Sequence, residues 1–396
     1  MNKKAVFLLY LLYLRKKKCR EKRRRRYWVH PILSQKYVEG AFYTMFEKLR
    51  EHDEKFFNYF RMSTATFDYL LEKLSCSLQR QDTQMRLCVP PKEMLAITLR
   101  YLASGNTFTD MHYAYRLGVS TISKIIKDVC HSIWNILKDE YLPTPTVENW
   151  KDIADGFTRN AQFPHCIGAV DGKHVRIMKF PGSGSMNLNY KHFFSIVLMA
   201  IADSNYRFIY VDIGAFGKDC DSSVFKETVF WKLLQQNALN IPHPSPLIST
   251  GDNLPFVLVG DEAFALSQNL LRPYGGHSLN INKRIFNYRL CRARRYIECS
   301  FGILVNKWRI FHRAINVGKE YAKDIVKACI ILHNLVREKD GTRVEDMYAP
   351  DRELQNLPPT TACRGGRAAN DVRDKFAEFF ARDQCGVCSV SEQFII

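Results

Sequence analysis

Cys166-Ile167-Gly168-Ala169-Val170-Asp171 is a run of five apolar residues that stops at an acid, and Phe256-Val257-Leu258-Val259-Gly260-Asp261 repeats the pattern. Short apolar runs of this kind read as buried strands of a sheet covered on both faces. Open α/β sheets build their sites at the carboxyl ends of strands, so both aspartates are candidate site residues. A third acid, Glu298, lies in a helical stretch over residues 292–311, where Ile297, Phe301, Leu304, Trp308 and Phe311 recur every three or four residues and form a core-facing stripe. Glu298 sits at the edge of that stripe, with Arg294 four residues before it and Gly302 four after. One reading of Glu298 is a surface pair with Arg294, worth about 0.3–0.5 kcal/mol. The other turns the carboxylate toward the strands, with Gly302 clearing space at a cost of about 1 kcal/mol relative to alanine. Together Asp171, Asp261 and Glu298, spaced 90 and then 37 residues apart, make an all-oxygen set of the kind that Mg²⁺ or Mn²⁺ prefers.

The segments between these acids read as an alternation of strand and helix. Residues 193–203 and 207–215 form two longer strands joined by Ser204-Asn205, an antiparallel hairpin. A helix follows over about 222–236, then a loop with Pro242, Pro244 and Pro246, then the strand that delivers Asp261. A last helix spans 321–336, and residues 311–318 link it to the helix of Glu298. Asp203 and Asp212 read as turn and edge residues, and Asp221 as the N-cap of the helix behind it. Lys173 and His174 follow Asp171 directly, within reach of a phosphate, but hydrogen bonding within the hairpin is their expected role. The eleven histidines make no H-x-x-x-H pair, which argues against a histidine-ligated zinc enzyme.

The chain divides into four regions: a basic arm (1–30), a helical region (40–145), the strand-and-helix domain (160–337) and a loose tail (338–396) with a short helix at 371–381. In the helical region residues 91–103 make one helix. Residues 109–126 resemble a helix-turn-helix, with Gly118 in the turn and Ser120 as N-cap of the second helix. That arrangement presents Thr121, Ser123, Lys124 and Lys127 to a DNA groove; a plain helical hairpin packed on the neighbouring domain explains the same apolar positions.

Net charge is +18, of which residues 1–26 supply +11 through twelve Lys and Arg against one Glu. Arg15 to Arg26 therefore reads as a nuclear import signal or a phosphate-binding arm. The preceding run Ala5 to Leu14 imitates the front of a secretory signal, but a basic block follows it in place of a cleavage site, and ten residues are too few to span a bilayer. Twelve scattered cysteines suit a reducing compartment, and the lone Cys385-Gly386-Val387-Cys388 lacks the second half of a zinc site.

Three motifs carry a family resemblance. Ala169-Val170-Asp171-Gly172-Lys173-His174, Gly260-Asp261-Glu262-Ala263-Phe264 and Arg294-Arg295-Tyr296-Ile297-Glu298-Cys299-Ser300-Phe301-Gly302 resemble, in that order, motifs of the PIF/Harbinger superfamily of transposases, which in animals includes the Harbinger transposase-derived nucleases. The likeness extends over about 91–336, with echoes in residues 26–32 and 56–62. It implies an RNase H-like α/β core, a mixed sheet flanked by helices, preceded by the helical region. It also implies an Asp-Asp-Glu triad at Asp171, Asp261 and Glu298, served by two divalent ions, Mg²⁺ or Mn²⁺, with DNA as substrate. A Myb-like accessory protein that binds DNA and aids nuclear entry is the partner it implies. Glu262 departs from the family, which usually has a small residue there. A non-catalytic DNA- or chromatin-associated regulator is the alternative, against which stand the three intact acids.

The basic arm carries far more cationic charge than folding requires. Deleting residues 1–26 is expected to leave a folded protein with reduced nuclear accumulation, read by microscopy of a tagged chain; undiminished accumulation without a partner would end the import reading.

Overall fold

The structure, a computed structural model, describes residues 3–20, 27–84, 87–180, 183–247, 251–276, 278–341 and 366–385. Helix α1 (Lys3–Arg20) carries the apolar run of the arm, whose side chains from Val6 to Leu14 are exposed. Residues 21–26 of the basic block and Cys388 of the C-x-x-C lie outside the described residues. No helix among the described residues is long and apolar enough to cross a membrane. Two short turns, α2 (Pro31–Ser34) and α3 (Lys36–Glu39), lead into α4 (Ala41–Arg50), α5 (Asp53–Phe60), α6 (Thr64–Leu78), α7 (Pro91–Ser104), α8 (Phe108–Tyr115), α9 (Val119–Tyr141) and α10 (Val147–Ala161). Their aromatic side chains make a dense core in which Phe46, Phe56, Phe60 and Phe67 pack ring against ring.

The turn between α8 and α9 differs from the sequence reading. Arg116, not Gly118, takes the left-handed conformation (φ 53°), and Gly118 is the N-cap of α9 in place of Ser120. A Thr107–Asp110 capping box closes the other end of α8. Helix α9 buries Ile122, Ile125, Ile126, Val129 and Ile133 and lies against α7 and α14 (Lys319–Lys339). Thr121 and Ser123 are half-buried, and the Ser123 carbonyl accepts a hydrogen bond from Tyr321 Oη at 2.7 Å. Of the four proposed groove-facing residues, Lys124 and Lys127 are the exposed ones.

A five-stranded mixed sheet follows. Strands β1 (Cys166–Arg176), β2 (Ser195–Ala202) and β3 (Phe208–Phe216) are antiparallel neighbours. Helices α11 (Asp221–Glu227) and α12 (Val229–Gln235) divide the single helix expected there, because Thr228 takes an extended conformation and caps α12 through Trp231 N–H. A two-residue pair, β4 (Ser245–Pro246) and β5 (Asn253–Leu254), precedes β6 (Val257–Val259) and β7 (Leu270–Leu271). The sheet order is β3-β2-β1-β6-β7, with β6 and β7 parallel to β1. Helix α13 (Ile281–Lys307), a 3₁₀ turn (Arg309–His312), α14 and α15 (Arg367–Cys385) complete the chain.

Strand β2 explains why the sheet is covered on both faces. Every residue in it is buried. Its alternate side chains Ile196, Leu198 and Ala200 join the core shared with α13, α14 and the helical region, while Val197, Met199 and Ile201 join a second core with Phe225, Phe230 and Trp150. The helical region and the sheet thus share one continuous apolar core. This mixed sheet between helices, behind a helical region, is the RNase H-like arrangement.

A single amide stitches the outer strand to the helices. Asn334 of α14 is 3% exposed. Its Nδ2 donates to the carbonyls of Tyr141 (2.7 Å) and Phe208 (2.8 Å), and its Oδ1 accepts from the Phe208 N–H (2.9 Å). The edge of β3 has no strand beside it at Phe208, so the amide stands in for one. Asn334→Leu would strand these buried groups at about 1–3 kcal/mol each. With three such groups the expected loss of stability is about 3 kcal/mol or more in urea unfolding; a loss below about 1 kcal/mol would show that water replaces the amide.

Candidate active site

Asp171 is not at the end of its strand, as the sequence suggested, but in the middle of β1, which continues to Arg176. What ends near Asp171 is the neighbouring strand. The parallel pairing of β1 with β6 stops at Ala169↔Val259, while the pairing of β1 with β2 runs on through Asp171↔Ala200. Asp171 and Asp261 each lie two residues beyond that last parallel pair. The charge of Asp261 acts on Asp171 at the notch where β6 leaves the sheet, a carboxyl-end position. Within β1, Ala169 belongs to the core on the α13 side and Val170 to the core on the α11 side, so alternation aims Asp171 toward α13.

A third aspartate joins them that sequence reasoning had read as an N-cap. Cys220 is the N-cap of α11, and Asp221 is its first helical residue. A Cβ built on Gly172 would sit 2.3 Å from Asp221 Oδ1. The carboxylate of Asp221 therefore occupies the space a side chain at residue 172 would fill, on the face of β1 opposite Asp171. The available signal was Gly172 itself: glycine inside a well-paired strand marks close approach of another group.

The electrostatics couple the three. Burial, followed by the charge of Asp261, pushes the Asp171 carboxyl up to about 7; Arg294 opposes this, Asp221 adds to it, and the Gly172 N–H donating to Oδ1 at 2.8 Å opposes it. Burial and then Asp261 raise Asp221 to about 6. Asp261 accepts from the Ala263 N–H at 2.9 Å. Asp261, not its neighbour Glu262, is the acid whose charge bears on Asp171. Glu262 lies toward Cys291 of α13.

Glu298 does not join this group. Its Oε1 accepts from Arg294 Nη2 at 2.8 Å, and its side chain is 51% exposed. The i,i+4 pair that was one reading of the sequence is the arrangement observed. Arg294 itself, with its side chain 13% exposed, is the cation between Glu298 and the aspartates. Lys173 Nζ lies over the Phe301 ring (5.6 Å) and His174 Nδ1 meets Ser195 Oγ at 3.0 Å. Asp203 closes the β2–β3 turn by accepting from the N–H groups of Asn205 and Arg207.

As they stand these acids form a charge cluster and not a closed cage: among the described residues no three His, Cys, Asp or Glu side chains are grouped to hold an ion. The donor chemistry nonetheless fits a divalent cation. Three carboxylates act on one another's charge around the end of β6, and two of them have pKa values raised by burial and then by neighbouring carboxylates, the disfavoured charge that a hard cation relieves. Asp171, Asp221 and Asp261 would hold it.

Comparison with known proteins finds relatives over this part of the chain. Residues 170–334 match the DDE superfamily endonuclease family. The chain is 25% identical to Protein ALP1-like of Arabidopsis thaliana over 81% of its length and 79% of the relative's. It is 26% identical to Antagonist of like heterochromatin protein 1 of the same plant, over 75% of this chain and 76% of that one. It is 28% identical to HARBI1 of Rattus norvegicus, a protein named as a candidate nuclease, over 68% of this chain and 74% of that one. No solved structure matches. Residues 170–334 are thus similar to the DDE superfamily endonuclease family, and over most of its length the chain is similar to the ALP1-like and HARBI1 proteins.

Proposed function

We propose that this chain is a divalent-metal-dependent endonuclease that hydrolyses phosphodiester bonds of DNA, with Asp171, Asp261 and Glu298 as the catalytic acids and Asp221 as a fourth carboxylate at the site. The observation that carries the reading is the pairing of Asp171 with Asp261, each two residues past Ala169↔Val259, with their charges coupled to each other and to Asp221. A divalent ion there, Mg²⁺ or Mn²⁺ and in the two-ion form of the chemistry a pair, supplies positive charge against the phosphate and lowers the pKa of water. The chain's own part is placement. Asp171 on the sheet, Asp261 just past the end of β6 and Asp221 at a helix start would fix the ligand positions, and Glu298 on α13 would join them by a change of side-chain rotamer. Hydrolysis forms a bond from the water oxygen to phosphorus as the ester P–O bond breaks.

Nuclear location, for which the basic arm argues, and a Myb-like accessory protein belong to the same proposal. So does a weak, charge-driven DNA contact at Lys124 and Lys127, with Thr121 and Ser123 beside them. The second reading, a catalytically silent DNA- or chromatin-associated regulator, is favoured by one observation, the retention of Glu298 by Arg294.

Nicking of supercoiled plasmid in Mg²⁺ or Mn²⁺ tests the proposal. Asp171→Asn, Asp261→Asn and Glu298→Gln are each expected to lower the rate about 100-fold or more, the scale of one lost electrostatic contributor. Glu262→Ala is the control and is expected to stay within a few-fold of the native rate. A Glu262→Ala loss as deep as that of Asp261→Asn would mean the wrong acid of the pair. A native chain that binds duplex but never nicks it would leave the regulator.

The raised carboxyls predict the pH dependence of the metal-free protein. Asp171 binds its proton more tightly folded, near 7, than unfolded, near 3.9. Its contribution is therefore fully present below about 4 and is lost as pH rises through 7. Buried His333, held down to about 3, acts in the opposite sense below its unfolded value. The clean measure is thus the difference between native and Asp171→Asn proteins from pH 6 to pH 8. The variant is expected to gain melting temperature relative to the native chain as pH rises; a constant difference would rule out the coupling.

A further inference from the structure

Arg294 is the unusual member of the site. Its guanidinium is held inward, with its side chain 13% exposed, while its partner Glu298 is 51% exposed. Nη2 bonds Glu298 at 2.8 Å, but Nε is buried without a hydrogen-bond partner. Asp171 and Asp261 lie within electrostatic reach of the same group. Arginine cannot give up its charge in a protein, and an ion pair made only for stability is better placed in water than inside. A fixed cation beside two aspartates occupies the electrostatic position that a divalent ion requires, and its bond to Glu298 keeps the third acid of the family motif away from the other two. Residues 294 and 298 share one helix face, one turn apart, so Glu298 can leave Arg294 by rotating its side chain while α13 stays in place.

We propose that Arg294 is a resident counter-cation of this site: it neutralises Asp171 and Asp261 and retains Glu298 in the metal-free protein, and entry of a divalent ion displaces it and frees Glu298 to turn toward the aspartates. Arg294 is in these terms a positioning residue for Glu298 and an electrostatic competitor of the ion. The inference rests on the carboxylate-site reading above. It adds that metal affinity is set as much by a cation on α13 as by the acids, and that Glu298 is recruited when the ion arrives.

The test is Mn²⁺ titration of the full chain without DNA, followed by the paramagnetic resonance of free Mn²⁺. Arg294→Gln is expected to bind Mn²⁺ about tenfold or more tightly than the native chain, since a unit charge a few ångströms away in a partly buried site is removed, and Arg294→Lys, which keeps the charge, to stay within about threefold of native. Adding Glu298→Gln to Arg294→Gln is expected to cancel part of the gain. A folded Arg294→Gln chain that binds Mn²⁺ no better than native overturns the proposal and leaves Arg294 a structural strut, with the metal-site reading intact. No Mn²⁺ binding by either chain would overturn both readings, whereas binding by the variant alone supports the counter-cation.

Should Arg294→Gln fail to fold, the native chain still decides. Phenylglyoxal modification, mapped by mass spectrometry, is expected to reach Arg294 slowly without Mn²⁺ and several-fold faster with it, the exposed Arg295 serving as internal reference. An Arg294 rate unchanged at saturating Mn²⁺ overturns the proposal.

Discussion

The site depends on where one ladder of hydrogen bonds stops. Strand β1 keeps β2 as an antiparallel partner over its whole second half but loses β6 after Ala169↔Val259. Past that pair β1 is held on one side and open on the other, so Asp171 has rigid backbone beneath it and space beside it. Strand β6 is only three residues long and turns into its loop at Gly260, which brings Asp261 to the height of Asp171. A longer β6 would fill the notch with backbone. A shorter one would let Asp261 drift. The close approach of two like charges follows from register alone, and it is maintained because the strands beneath are buried on both faces.

Much of this was legible in the residues, for reasons that can be named. The apolar runs at 166–170 and 256–260 declare buried strands because nothing else that short is so apolar, and the helix of Glu298 shows its core face through Ile297, Phe301 and Leu304, all buried. The strand boundary at Asp171 was misread because polarity marks where the core ends and not where pairing ends: Asp171, Gly172, Lys173 and His174 remain in the ladder with β2 while leaving the apolar core. Thr228, which breaks one expected helix into two, has no glycine or proline to announce it. Asp221 was missed because a helix-start aspartate is usually a cap, and only its distance to Gly172 reveals the other role. Arg116 takes the left-handed turn beside a glycine better suited to it, a choice made by packing between α8 and α9 that no local rule contains.

The helical region is a structural part of the same folded unit as the candidate site. Its core runs without interruption into the α13 face of the sheet, and Asn334 ties Tyr141 at the end of α9 to Phe208 at the start of β3. His333, the residue before, gives the same edge a second tie through Nε2 and the Tyr206 carbonyl at 2.8 Å. Buried polar groups of this kind add specificity because apolar packing alone tolerates sliding. They pin α14 between the two parts, and α14 and the helical region in turn back the core against which α13 lies. Whatever sets the angle of α13 sets the approach of Glu298 to the notch.

The acids differ in how they are held, and that difference locates control. Asp171 belongs to a strand and cannot move without breaking register, and Asp261 is held two residues past β6, where it accepts from the Ala263 N–H. Asp221 is confined by its helix start and by the bare backbone of Gly172. Glu298 alone stands on an exposed helix face with a free rotamer and a competing cation one turn away. A cluster built this way costs stability when its charges are uncompensated, as the raised carboxyls of Asp171 and Asp221 show, and a single internal guanidinium offsets part of that cost. On the counter-cation proposal, the guanidinium that makes the cluster tolerable also opposes the binding of a divalent ion. On that proposal the charge balance of α13 bears on the chemistry of the cluster as much as the acids themselves do.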